Sequence, residues 1–375
     1  MTMRMRLLCP NVILTVAVLS ALSPHAGRAG VVNPDISVVG QPFMRTTDDP
    51  VDPDRERLQF NVGETEFVFD AYLNPYARGF FTVALAEEGI ELEEGFFSLL
   101  RGLPGGLAMK GGQYRVGFGK LNPAHPHTYP FAERFRVLGY LPGDESFGEA
   151  GVSLSRRIPV AGDFSLDPSV DWLQGNTFRI EREPVSDLDP LNQGGDDDAS
   201  LTRPAVLGRL SAFTMVGELS ALEFSVSGTR GTNNVAARAH TTVLGADVKA
   251  KLWTSPRAYL LLQAEGLHLD RDEVEWSDVD GYTLSQVTPS GGYVFADYNF
   301  RIRYNFGASY ERYQQPTAQE PWDQAFGLFA GLALLEETTA FRLDWNHFVL
   351  DEGDEVNALT LRAIYSMGPH KAHQF

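Results

Sequence analysis

The sequence of 375 residues holds one cysteine, Cys9, and that residue falls in the first thirty positions. Disulfides, iron–sulfur clusters and thiol chemistry are therefore excluded from the rest of the chain. Positive charge is also scarce: 31 Lys and Arg stand against 49 Asp and Glu, a formal charge of −18. That sign argues against nucleic acid as a partner, since a phosphate binder needs the opposite one. Beyond the N-terminal segment no apolar run approaches the ~20 residues a membrane helix requires. Gly-x-Ser-x-Gly, His-Glu-x-x-His and Walker motifs are missing, so nothing points to an enzyme. Gly112 to Lys120 has a superficial likeness to a phosphate loop, but Leu121 stands where Ser or Thr is needed.

What is present at the N-terminus is a basic start (Arg4, Arg6), an apolar stretch from Val12 to Leu22 and the small residues Gly27 and Ala29. This reads as a secretory signal peptide over residues 1–29, whose removal takes the formal charge to about −21. The expected mature chain, residues 30–375, is dominated by dyad alternation. In Gly291 to Tyr313, Val294, Ala296, Tyr298 and Phe300 alternate with Asp297, Asn299 and Arg301. Beyond Arg303, Tyr304, Phe306, Ala308 and Tyr310 alternate with Asn305, Gly307, Ser309 and Glu311. That predicts a hairpin of two-faced strands turning near Arg303, although the unchanged parity also allows one long strand.

About sixteen such strands can be counted. One set of connections is tight, among them Asn74-Pro75, Gly102 to Gly106, Ala161-Gly162, Gly217-Glu218, Ser255-Pro256 and Glu336-Glu337. The alternate set holds the long ones: Thr46 to Arg57, Lys120 to Glu149, Gly175 to Pro204 and Asp270 to Ser290. A soluble sandwich has no reason to alternate in this way. A transmembrane antiparallel up-and-down β-barrel in a bacterial outer membrane does, with short turns on one side and long loops on the other. The expectation is thus an all-β barrel without an N-terminal plug domain, bounded by lipid and lipopolysaccharide. A homo-oligomer is left open.

Under that reading the polar faces line the lumen. Arg115, Asp247, Lys249, Lys251, Asp297, Asn299, Arg301, Glu311, Arg342, Asp344 and Arg362 are the expected pore-lining residues, with Glu91 and Glu93 on a further strand. Leu244, Val248, Tyr298, Phe300, Phe341, Leu343, Trp345, Leu359 and Tyr365 would face lipid. The mixture of signs implies a weakly selective passage for small hydrophilic solutes or ions, narrowed by the 120–149 loop.

Several stretches resemble a known group. Asn33 to Gly40 (NPDISVVG), Leu73 to Phe81 (LNPYARGFF), the segment MKGGQYRVGFGKLNPAHPHTYPF from Met109 and the ending GPHKAHQF are similar to porin-like outer-membrane proteins often labelled zinc-regulated receptors. Gly112 to Lys120 (GQYRVGFGK) is also loosely similar to phosphate-selective porins. The resemblance implies an alternative function, capture of a divalent metal such as zinc. Phe375 is similar to the terminal aromatic read by the outer-membrane assembly machinery.

Only two histidine pairs are clustered, His125 with His127 and His370 with His373. Neutral imidazoles one extended residue apart can share a zinc ion, with Asp144, Glu145 and Glu149 as further ligands to the first pair. The competing reading is an aromatic, Pro-rich loop packed into the lumen, its histidines merely hydrogen-bonded.

Overall fold

In the computed structural model, residues 33–87, 89–140, 146–180, 185, 186, 188, 203–316, 318–334, 338–350 and 353–368 are described. The signal segment, Asp144, Glu145, His370, His373, Phe375 and the Glu336-Glu337 turn lie outside them.

Antiparallel strands run around a closed barrel in chain order. They are β1 (Asp35–Gly40 and Phe43–Thr47), β2 (Gln59–Asn61 and Thr65–Tyr72), β3 (Ala77–Ala86), β4 (Gly89–Leu99), β5 (Ala108–Arg115) and β6 (Gly148–Ser155 and Ile158–Ala161). Next come β7 (Phe164–Leu173), β8 (Ala205–Val216), β9 (Ser220–Asn234), β10 (Ala239–Ser255) and β11 (Ala258–Ser277). The circuit ends with β12 (Gly281–Val287 and Ser290–Phe300), β13 (Tyr304–Gln315), β14 (Ala318–Ala333), β15 (Thr339–Val349) and β16 (Glu355–Met367). Each segment of β1 pairs with β16, Val39 opposite Ser366 and Thr46 opposite Leu359, and this closes the sheet. Closure leaves no backbone edge unpaired, which is what a sheet in lipid requires.

Dyad sequence becomes a two-sided wall. On β15, Phe341, Leu343 and Trp345 point outward and Arg342 and Asp344 inward, and Leu343 stands opposite Leu361 of β16. Leu244 and Leu343 remain 53% and 45% exposed on the outside, while Asp247, Asp297, Glu311 and Asp344 are buried on the inside. Leu244, Val248, Tyr304, Phe341, Trp345, Leu359 and Tyr365 are all exposed large apolar or aromatic residues. Tyr298, Phe300, Tyr304 and Phe306 form a contiguous aromatic cluster beside the β12–β13 turn, as at an interfacial girdle. Among the described residues no helix is long and apolar enough to cross a membrane.

Four sequence expectations change. The β12–β13 hairpin turns on Arg301, Ile302 and Arg303 between the paired Phe300 and Tyr304. Arg301 therefore sits exposed in the turn at φ 53°, off the inward face of the strand, and Ile302 follows at φ 70°. Parity survived because three residues make the turn. Asp270 to Ser290 is a hairpin extension, not a loop: Arg271 to Ser277 pair with Gly281 to Val287. Both faces of this ribbon are partly exposed, so no apolar parity marks it in the sequence.

The fifth strand ends at Arg115. Val116 and Phe118 keep its alternation but leave the wall and are fully buried inside. On β4 the pairing register slips between Thr82 opposite Glu94 and Val83 opposite Leu92, so Glu93 is the extra residue of a bulge. Glu91 is exposed, whereas the successive residues Glu93 and Glu94 both have buried side chains. The pairing also slips beside Gly63, from Gly40 opposite Thr65 to Phe43 opposite Asn61. Gly63 has φ +61°, and a Cβ there would stand 2.0 Å from the Gln41 carbonyl oxygen.

Candidate functional site

The segment from Val116 to Phe147 connects β5 to β6, and its described residues turn into the barrel. Its sequence is rich in rings, and they form an interior core: Phe118, Tyr129, Phe131, Phe135, Val137, Leu138 and Phe147 pack with Leu173, Leu207, Val243, Tyr293, Phe295 and Phe329 of the wall. Phe131 alone contacts Tyr129, Phe135, Phe295 and Phe329 at centroid distances of 5.0 to 5.5 Å. Such pairs contribute ~0.5–1.5 kcal/mol each beyond the area they bury. The seam beside Phe131 and Phe135 holds a cavity of only ≈ 20 Å³, about one water. One turn of helix, α1 (Arg136–Tyr140), lies within this segment.

A buried loop must satisfy its backbone N–H groups, and here the barrel wall supplies acceptors. Asp344 Oδ2 accepts from the amides of Ala132 (2.5 Å) and Glu133 (3.1 Å). Glu311 Oε2 accepts from Val137 N at 3.1 Å and Glu265 Oε2 from Lys120 N at 3.2 Å. Asp297 accepts from Asn305, whose amide also donates to the Pro130 carbonyl. Glu133 in turn accepts from the Thr360 hydroxyl on β16 and pairs with Arg45 on β1. The loop is thereby tied to strands all around the circumference.

The cationic wall residues sit among these acids. Arg342 and Arg362 are directly opposite each other on β15 and β16. Lys249 stands opposite Glu223, which also receives Lys120 Nζ at 2.5 Å, and the Lys251 ammonium lies 4.5 Å from the Tyr259 ring centroid. Arg209, which sequence reading passed over, holds Asp247 in a bidentate pair at 2.8 and 3.0 Å. Arg134 on the loop is pushed below its ordinary range by burial. Asn299 is partly buried on β12 opposite Asn305.

His125 and His127 occupy a short 3-10 turn at the opposite wall. His125 Nε2 is 3.0 Å from Glu94 Oε2, its Nδ1 is 3.1 Å from Glu66 Oε2 and 3.6 Å from Glu93 Oε2, and His127 Nδ1 is 2.9 Å from Glu66 Oε1. Arg115 pairs with the other oxygen of Glu93 and donates to the Ala124 carbonyl at 3.3 Å. Burial alone would depress His125, but the hydrogen bonds to Glu66 and Glu94 outweigh it and push the imidazole up to about 10.

Among the described residues the carboxylates at the histidines are Glu66, Glu93 and Glu94; of those expected from the sequence, Asp144 and Glu145 lie outside the described residues. Glu149 is buried elsewhere and accepts from the amides of Gly175 and Thr177, holding the β7–β8 loop. Glu66 was legible as an acid on the inner face of Thr65–Tyr72, where Val68 and Asp70 share its parity. Glu94 was hidden by the bulge.

No family model matches the chain. It is 28% identical over 268 residues to an uncharacterized protein of Aquifex aeolicus (strain VF5), covering 68% of this chain and 55% of that protein. The chain spans about half the length of this curated relative. Among solved structures it is similar to an anion-selective porin from Comamonas acidovorans (TM-score 0.58, 10% identity, 89% of this chain and 99% of that one). It is also similar to the outer-membrane channel DcaP of Acinetobacter baumannii (0.56, 11%, 92% and 100%) and to Salmonella typhi OmpF in complex with daunomycin (0.56, 12%, 89% and 97%). At these identities the likeness is one of fold: the chain is a closed sixteen-stranded antiparallel β-barrel with the architecture seen in porins. The zinc-regulated receptor resemblance gains no support from these comparisons.

Proposed function

We propose that the protein is an outer-membrane channel for small hydrophilic solutes or ions, with the infolded β5–β6 loop as its constriction. The observation that carries this is the inverted barrel: an apolar exterior around an interior of charged groups of both signs, crossed by a loop anchored to that interior. Fold likeness to porins and channels supports it. Because Asp247 is neutralised by Arg209, and Asp344 and Glu311 are engaged by loop amides, the lining presents little net field and selectivity is weak. Lys249, Lys251, Arg342 and Arg362 would guide anions past the constriction.

Single-channel recording of purified protein in planar bilayers tests this. Discrete steps of small conductance are expected, rising when residues 122–145 are replaced by a short Gly/Ser linker. Absence of any conductance from both the folded wild type and the loop-deleted barrel refutes the reading.

A further inference from the structure

We propose that Glu66, Glu93, His125 and His127 form a binding site for one late first-row divalent metal ion, of the zinc class, that clamps the infolded loop to the barrel wall. Two of the four side chains come from the wall (β2 and the β4 bulge) and two from the loop. This inference stands whether or not solutes pass through the barrel.

Three observations carry it. First, one nitrogen of each imidazole and one oxygen of Glu66 lie within 4.8 Å of one another, all on buried residues. The two spacings from His125 Nδ1, 3.1 Å to Glu66 Oε2 and 3.6 Å to Glu93 Oε2, straddle the edge of about 3.3–3.4 Å expected for a tetrahedron with bonds of ~2.0–2.1 Å. Second, Glu93 Oε2 is a buried atom without a hydrogen-bond partner, and it and Glu66 Oε2 both lie within 3.6 Å of His125 Nδ1. Such unpaired atoms are rare in folded proteins. Third, the other nitrogen of His125 meets Glu94 Oε2 at 3.0 Å, the carboxylate–imidazole arrangement that orients a metal-ligating histidine.

The ligand set brings two carboxylates, Glu66 and Glu93, whose combined charge matches that of a divalent ion. Paired imidazoles with carboxylates favour zinc and its neighbours over calcium or magnesium, which prefer all-oxygen shells. The bulge on β4 is what makes the site geometrically available, since regular pairing would turn either Glu93 or Glu94 out to lipid.

The test uses the full chain, folded in detergent and stripped with a chelator. Zn²⁺ is titrated by calorimetry and Co²⁺ by visible absorption. One equivalent of each is expected, with Co²⁺ showing the intense bands of a four-coordinate site. His125→Ala and Glu66→Gln should weaken binding by about 100-fold or more, and Glu94→Gln by roughly 10–100-fold. His347→Ala and the tail variant His370→Ala/His373→Ala should leave it unchanged. Folded wild type that binds neither ion overturns the proposal without recourse to any variant. So does binding that survives in folded His125→Ala or disappears in the tail variant.

Discussion

Asp344 provides a quantitative test of how the loop is held. Its single Oδ2 accepts two loop amides, Ala132 N and Glu133 N, from a separation of more than two hundred residues. Asp344→Ala leaves both donors without their acceptor in the narrow seam beside Phe131. Hydrogen bonds to a charged acceptor contribute ~1.5–3 kcal/mol each, and two on one oxygen are not additive, so about 2–4 kcal/mol is a reasonable loss for the docked state. At 1.4 kcal/mol per tenfold, the undocked population should rise roughly 30- to 700-fold. Trypsin reads this directly. Arg134 and Arg136 are sheltered in the lumen, and when opening is fast relative to cleavage, the cutting rate follows the open population. Mass spectrometry separates these cuts from those in exposed loops, such as at Arg57 or Arg238. Asp344→Asn keeps an acceptor of the same shape and should fall between wild type and Ala. If Asp344→Ala remains a folded barrel and is cut after Arg134 or Arg136 no faster than wild type, the wall carboxylate does not hold the loop and the reasoning fails.

Other perturbations probe other levels of the structure. Tyr298→Cys and Asn299→Cys, in a background where Cys9 is the sole other cysteine, should respectively resist and accept a membrane-impermeant thiol reagent in liposomes; reversal of the two would invert the wall. Gly63→Ala introduces a Cβ 2.0 Å from the Gln41 carbonyl oxygen at a positive φ, and should cost roughly 1–3 kcal/mol, seen as a lower midpoint in urea unfolding. Asp48, outside the membrane, is held below its ordinary pKa by the backbone and side-chain amides of Asn357. A depressed carboxylate contributes stability above its unfolded value of about 3.9 and loses it as pH falls through the folded one. The protection factor of the Asn357 amide, its exchange rate taken relative to the intrinsic rate at each pH, should therefore fall at acid pH in wild type but show no such acid step in Asp48→Asn.

The barrel was legible because its wall obeys a period of two that a lipid exterior enforces over many strands. Tyr298 against Asn299, or Leu343 against Asp344, is a choice between oil and water that the sequence states outright. What escaped was where parity is broken or loses meaning. The Glu93 bulge adds one residue without any change in composition, and so conceals a second inward acid. Val116 and Phe118 continue a strand pattern after the strand has ended, because an apolar lumen core accepts the same residues that lipid would. Arg301 fell into a three-residue turn that preserves the alternation on both sides. The 271–287 ribbon stands where both faces meet water, and no period survives there. The partners of His125 were sought nearby in sequence at Glu149, whereas the closed sheet brings Glu66 and Glu94 from earlier strands.

The circumferential anchoring of the β5–β6 loop also constrains the order of folding. Its acceptors lie on β2, β4, β11, β13 and β15, and its ion pair with Arg45 on β1 joins the first strand to the last through Glu133 and Thr360. No partly zipped sheet can offer all of these at once. The full set of anchors therefore exists only in the closed sheet, once β1 has met β16.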